Sequence, residues 1–162
     1  MIYERIAVGD SFVLGSHRFT AEAIKRFAGA FDPQGFHTDE DAAAKTHFGA
    51  LCASGWHTAA VMTRLYVDHL RREAEAAAAR GEPAGRVGPS PGFDNLRWLK
   101  PVYAGDTITY TARTVARRPS QSKPGWGIVS IEITGAKDNG ELAFAVTAHV
   151  FVALAEGGEA PL

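Results

Sequence analysis

The chain has 162 residues, 46 % of them hydrophobic and 22 % charged, with a formal net charge of −1, so one domain can bury a full core without disulfide staples. No run of Lys and Arg forms a basic stripe, which leaves nucleic acid and anionic membranes without an electrostatic footprint and makes a small molecule the expected partner. The single cysteine, Cys52, excludes an intramolecular disulfide and a cysteine-based zinc site. The opening residues (MIYER) lack an apolar signal region, and no apolar run reaches membrane-spanning length, so a cytoplasmic location is expected.

Residues 11–19 (SFVLGSHRF) predict a first strand with a glycine irregularity. Thr20 reads as an N-cap, with Glu22 in the first turn and Ala23, Ile24, Phe27, Ala28 and Phe31 at helical spacing. Pro33 forces Asp32 out of the α region and ends that helix. Thr38, followed by Asp39, Glu40 and Asp41, predicts the cap of a second helix through Ala42-Ala43-Ala44, and Phe48-Gly49 breaks it.

A long helix is expected from Ser54 to about Ala79. Its first half (Trp56, Ala59, Ala60, Val61, Met62, Leu65, Tyr66) is apolar on nearly every side, which predicts burial all round. Its second half carries Arg71, Arg72, Glu73 and Glu75 and should emerge into solvent. Residues 80–92, rich in Pro and Gly, read as a loop that either lines a substrate tunnel or only connects.

Strands are expected over residues 94–100, 107–116 and 127–136, the third alternating cleanly at 129–134. Asp138-Asn139-Gly140 suits a hairpin turn. In 141–154, Leu142, Phe144, Val146, Val150, Val152 and Leu154 share one face. Strand, helices, one greasy helix and an antiparallel meander make an α+β layout, with a curved sheet wrapped around a long central helix.

Asp32 sits at a helix C-terminus, where partial negative charge disfavours a carboxylate. Taken alone it reads as a solvated turn residue. His37 precedes a helix cap, where the positive end of the helix disfavours imidazolium and leaves a neutral ring able to accept a proton. Taken alone it is a half-packed surface histidine. Together, across Pro33-Gln34-Gly35-Phe36, they offer an acid and a base to one small site, the pair that general acid–base work on a single water needs.

The stretch Phe27–Gly55 (FAGAFDPQGFHTDEDAAAKTHFGALCASG) resembles the hydratase motif of MaoC-like dehydratases and R-specific enoyl-CoA hydratases. Asp32, His37, Asp39, Ala42-Ala43, Phe48-Gly49 and Gly55 match it position by position. The stretch from Leu96 to Thr107, with Pro101-Val102 and Gly105-Asp106, is similar to a second and less specific stretch of that family. Two positions depart from the pattern. Gln34-Gly35 replaces the usual Asn-Pro, and Ser54 stands where a His often precedes the helix-opening glycine. Both bear on loop support and on the shape of the acyl pocket.

The resemblance implies a single hot-dog domain over residues 1–162 and hydration of a trans-2-enoyl-CoA, or the reverse dehydration, with Asp32 and His37 as the catalytic pair. It implies that the thioester oxygen meets backbone N–H groups near Gly55, with Ser54 and Trp56 beside it in the oxyanion and substrate-binding region. Which of Asp32 and His37 protonates carbon stays open. The implied partners are an acyl-CoA thioester and a second copy, as a homodimer or dimer-based oligomer, because a bare sheet edge is a liability. Neither a cofactor nor a metal is expected: His17, His47 and His69 show no partner at ligand spacing.

His57 is expected as a packed core histidine, His149 as exposed or at an interface, and Cys52 as an inert buried thiol. Arg64, Arg97, Lys100 and Lys123 either meet CoA phosphates or are only solvated. Two other functions remain open: a hot-dog acyl-CoA thioesterase, which would not need the Asp-to-His spacing, and a non-catalytic acyl-thioester-binding protein.

Overall fold

The computed structural model describes residues 2–155; Met1 and residues 156–162 of the expected domain lie outside the described residues. After a short 3-10 turn at Tyr3–Arg5, the chain runs β1 (Ser11–Arg18), α1 (Ala21–Phe31), α2 (Gly35–Thr38), α3 (Glu40–Ala44) and α4 (Gly55–Ala79). It then forms β2 (Gly92–Trp98), β3 (Thr107–Pro119), β4 (Trp126–Lys137) and β5 (Leu142–Ala153). The five strands make one sheet in the order β1-β3-β4-β5-β2, with every neighbouring pair antiparallel. With the long helix α4, this is the expected α+β hot-dog architecture.

Alternation builds the core. Ile108, Tyr110 and Ala112 of β3, Val129, Ile131 and Ile133 of β4, and Phe144, Val146, Val150 and Val152 of β5 are all buried. Each larger side chain contributes roughly 1.5–3 kcal/mol of apolar burial. Gly15 sits at a register shift in β1 with a φ of +144° that favours glycine, and a Cβ there would meet the Leu65 side chain on α4 at a tight 3.2 Å. The Tyr110 hydroxyl donates to the Thr58 carbonyl at 2.9 Å, which ties β3 to the first turn of α4.

Several expectations need correction. The first half of α4 is not buried all round: Ala59, Val61, Met62, Leu65 and Tyr66 pack toward the core, while Trp56, Ala60, Thr63, Arg64 and Val67 remain exposed. Only His57 and Thr58 of this helix are fully buried. One five-stranded sheet covers one side of a helix and cannot enclose it. The second half does emerge, with Arg71, Arg72, Glu73 and Glu75 exposed.

Thr38 is not the second helix cap. It ends α2, a single helical turn too short to show as a periodicity in the sequence, and its hydroxyl donates to the Gln34 carbonyl at 3.2 Å. Asp39 caps α3 instead, accepting from the Ala42 N–H at 2.7 Å. Leu142 leaves the shared face of β5 because the register shifts between Gly135 and Ala136. It stands exposed, and Ala143 is buried in its place. The 80–92 segment runs back along β5, where the Gly88 N–H donates to the Phe151 carbonyl at 2.8 Å and the Ala153 N–H to the Arg86 carbonyl at 2.9 Å.

Candidate active site

Three pieces of chain meet at the N-terminus of α4. Asp32 closes α1, its N–H donating to the Ala28 carbonyl, and its backbone leaves the helical region as Pro33 requires. The Cys52 N–H donates to the Phe36 carbonyl at 3.2 Å and the Ala53 N–H to the Val102 carbonyl at 2.7 Å, so residues 52–54 are clamped between α2 and the chain before β3. His37 lies in the last turn of α2 rather than ahead of a helix cap.

His37 is buried, with 8 % of its side chain exposed. Its Nδ1 lies 2.7 Å from the Cys52 carbonyl oxygen. A carbonyl can only accept, so Nδ1 carries a proton and donates, and in the neutral tautomer this leaves the lone pair on Nε2. That atom faces Asp32 Oδ2 at 3.5 Å, too far for a good direct hydrogen bond and close enough for one small molecule to touch both.

The Asp32 carboxylate is held from two sides. The Ser54 hydroxyl donates to Oδ2 at 2.7 Å, and the Gln34 amide donates to Oδ1 at 2.8 Å. The Ser54 bond first, and the Gln34 bond second, hold this carboxyl below its ordinary range, while partial burial works in the opposite direction. Gln34, one of the two departures from the resembled motif, thus reaches the carboxylate with its amide. The sequence held that signal only as a departure two residues after Asp32.

The pair lines a cavity of about 340 Å³, whose other walls include Phe36, Phe48, Trp56, Trp98 and Val102. This volume is at the small end for a ligand site, and the mix of apolar walls with a few polar groups is characteristic of one. Gly55 lines the same cavity. Its N–H, at the first position of α4, has no acceptor among the described residues, so a helix-end donor is available there.

The three residues expected around the thioester oxygen are thus treated differently. Ser54 is fully buried, its proton is spent on Asp32, and its oxygen accepts the Trp56 N–H at 3.2 Å, so it does not face the cavity as a free donor. Trp56 lines the cavity with its ring, 53 % exposed, but its N–H is taken by Ser54. The space opposite the Gly55 α-carbon belongs to Trp98: a Cβ there would lie 2.4 Å from its indole. The glycine is therefore required by Trp98, a contact that nothing in the sequence signalled.

The lesser candidates separate cleanly. His57 is buried, stacked on Phe27 with ring centroids 4.6 Å apart; burial pushes its ring down to about 4 and leaves it neutral. The Cys52 thiol is buried and pushed up by burial, which makes it a poor nucleophile. His149 bridges Asp94 and Ser130 on the outer face of the sheet, at 2.9 Å to each. Lys100 lines the cavity and pairs with Glu141 at 3.3 Å, whereas Arg64 is engaged by Asp68 and Lys123 lies over the Phe151 ring. The 80–92 segment contributes Pro83, Ala84 and Gly85 to a second cavity, beside His69, and nothing to the walls around Asp32. No cluster of three metal-ligating side chains occurs among the described residues, and none of their helices is long and apolar enough to cross a membrane.

Comparison with known proteins agrees with this architecture. The structure is similar to the crystal structure of a MaoC-like dehydratase from Rhodospirillum rubrum, with a TM-score of 0.78 and 36 % identity, covering 100 % of this chain and 99 % of that one. It is also similar to the (R)-hydratase from A. caviae involved in PHA biosynthesis, with a TM-score of 0.64 and 25 % identity over 93 % of this chain and 98 % of that one. A curated relative, the uncharacterized protein YdeM of Bacillus subtilis, is 26 % identical over 125 residues, which is 77 % of this chain and 81 % of that protein. Residues 7–135 match the model of the MaoC like domain, and the chain belongs to that family.

Proposed function

We propose that the protein hydrates trans-2-enoyl-CoA to 3-hydroxyacyl-CoA, or catalyses the reverse dehydration, with Asp32 and His37 activating one water. The observation that carries this reading is the open pair: an unspent Nε2 and an ionised carboxylate 3.5 Å apart at the wall of an apolar cavity. A water donating one hydrogen to each becomes a nucleophile when His37 Nε2 takes its proton. The oxygen adds to C3, the C2=C3 electrons move toward the thioester, and the proton held by the pair is returned to C2. Water is added across the double bond and nothing else is consumed.

As the oxygen adds, negative charge grows on the thioester carbonyl. The free N–H of Gly55 at the positive end of α4 is the donor suited to it, and one well-aimed donor is typically worth about 3–4 kcal/mol. The apolar walls would exclude competing water and strengthen that bond. Of the basic side chains considered, Lys100 is the one at the cavity wall and is therefore the candidate to meet a CoA phosphate, in exchange for its pairing with Glu141.

The same reading includes a second copy. Trp56, Ala60, Thr63 and Val67 are exposed along α4, β2 is an edge strand with Phe93 and Trp98 exposed, and the Trp56 and Trp98 rings meet with centroids 5.2 Å apart beside the cavity. Pairing two such regions would cover the helix that one sheet leaves open. Sedimentation should then report twice the mass of one chain.

Incubation with crotonyl-CoA tests the chemistry. Loss of the conjugated-enoyl absorbance without free thiol is the expected result. Release of thiol would replace the reading with thioester hydrolysis, and binding without either change would make the protein a carrier or accessory subunit.

A further inference from the structure

The structure assigns Ser54 a positioning role: its buried hydroxyl holds the Asp32 carboxylate away from His37 and so keeps the acid–base pair open for water. This inference rests on the hydratase reading for its consequence, but not for its geometry.

Asp32 Oδ2 has two polar neighbours, the Ser54 hydroxyl that donates to it at 2.7 Å and His37 Nε2 at 3.5 Å, an atom that can bond a carboxylate only when it carries a proton itself. The closer one wins the alignment. Ser54 has a single proton, and a carboxylate can only accept, so that proton must point at Asp32. The serine oxygen in turn accepts the Trp56 N–H at the positive end of α4, which polarises the hydroxyl and strengthens its donation. Asp32 is thus pulled toward the tip of α4 while Gln34 holds its other oxygen, and neither donor belongs to the imidazole.

His37 cannot follow. Its Nδ1 is fastened to the Cys52 carbonyl, and that carbonyl belongs to the same clamped segment as Ser54. One short stretch, residues 52–54, therefore fixes the base through a carbonyl and the acid through a hydroxyl. The molecule also shows what an Asp–His pair does without such restraint: Asp94 and His149 close to 2.9 Å, a direct bond with no room for a water.

Ser54 is also the N-cap of α4, so a loss of activity on mutation could be structural. Glycine is nearly as good an N-cap as serine but lacks the hydroxyl, and threonine keeps it. Ser54→Gly and Ser54→Thr therefore separate the two roles. Crystal structures of both variants and steady-state hydration of crotonyl-CoA are the measurements. In Ser54→Gly the Asp32–His37 separation should shorten, with a proton taken up between the two groups; kcat should fall roughly 10–100-fold, less than the ~10²–10⁴-fold for loss of a general acid–base group itself, and KM should stay within about threefold. Ser54→Thr should keep the open separation and most of kcat.

A folded Ser54→Gly variant with an unchanged separation and a kcat within threefold of the parent would overturn the assignment. So would a Ser54→Thr variant as impaired as Ser54→Gly. If the parent protein hydrates no enoyl-CoA but the pair still closes in Ser54→Gly, the positioning role stands and the hydratase reading fails. The two ideas thus fall separately.

Discussion

Two Asp–His pairs occur among the described residues, and they are built in opposite ways. Asp94 and His149 meet on the outer face of the sheet, with 70 % of the aspartate side chain exposed and a direct 2.9 Å contact. The other ring nitrogen is spent on Ser130. That histidine has both nitrogens occupied. Asp32 and His37 are 20 % and 8 % exposed, stand 3.5 Å apart, and line a cavity. Proximity alone does not make an acid–base site: the useful pair is the one held slightly too far apart, with one nitrogen anchored and the other unspent.

The largest expected effect tests that contrast directly. Asp32→Asn and His37→Ala should each lower kcat/KM for enoyl-CoA hydration by roughly 10²–10⁴-fold, the usual range for a general acid–base group. Asp94→Asn and His149→Ala should leave it within twofold in the same absorbance assay. Comparable losses at both pairs would erase the distinction.

A third histidine sharpens it through pH. Burial pushes His57 down to about 4, well below its unfolded value. The folded state therefore binds fewer protons than the unfolded one between those two values, and stability is full above about pH 6.5 and declines as pH falls toward 4. The linkage amounts to about 3 kcal/mol, an order-of-magnitude figure. Urea unfolding at pH 7.5 and 4.5 should show that decline, and His57→Leu should flatten it.

Gly55→Ala comes next. The new methyl would collide with the Trp98 indole, and overpacking of this kind typically costs about 1–3 kcal/mol. Thermal unfolding would register the loss, and adding Trp98→Leu should recover most of it. The smallest effect belongs to the outer pair: His149→Ala should change stability by about 1 kcal/mol or less, as exposed ion pairs do.

The local signals were legible where one residue's chemistry decides the matter. Thr20 caps α1 through the Ala23 N–H, Pro33 stops that helix, and Asn139-Gly140 turns β4 into β5. The fold class followed from the order of such elements. Asp32 and His37 stood out by position and by resemblance, and the chain brings both to one cavity.

What failed depended on neighbours distant in sequence. Thr38 and Asp39 are both good caps, and the choice between them came from α2, a single helical turn too short for a periodicity to announce. Leu142 followed the alternation of β5 until a register shift against β4 turned it outward. The apolar girth of α4 predicts enclosure, whereas the chain covers only one side of that helix.

By itself, then, the sequence determined the longer elements, the sheet-and-helix layout and the two side chains with suitable chemistry, because caps, breakers and periodicity act within a few residues. Only the tertiary structure decided the spacing of the Asp32–His37 pair, the fate of the Ser54 hydroxyl and the ownership of the space over Gly55. Those depend on contacts across 15, 22 and some forty positions of chain, from His37 to Cys52, Asp32 to Ser54 and Gly55 to Trp98. A difference of about half an ångström between a closed and an open pair is set by packing, which no local pattern encodes.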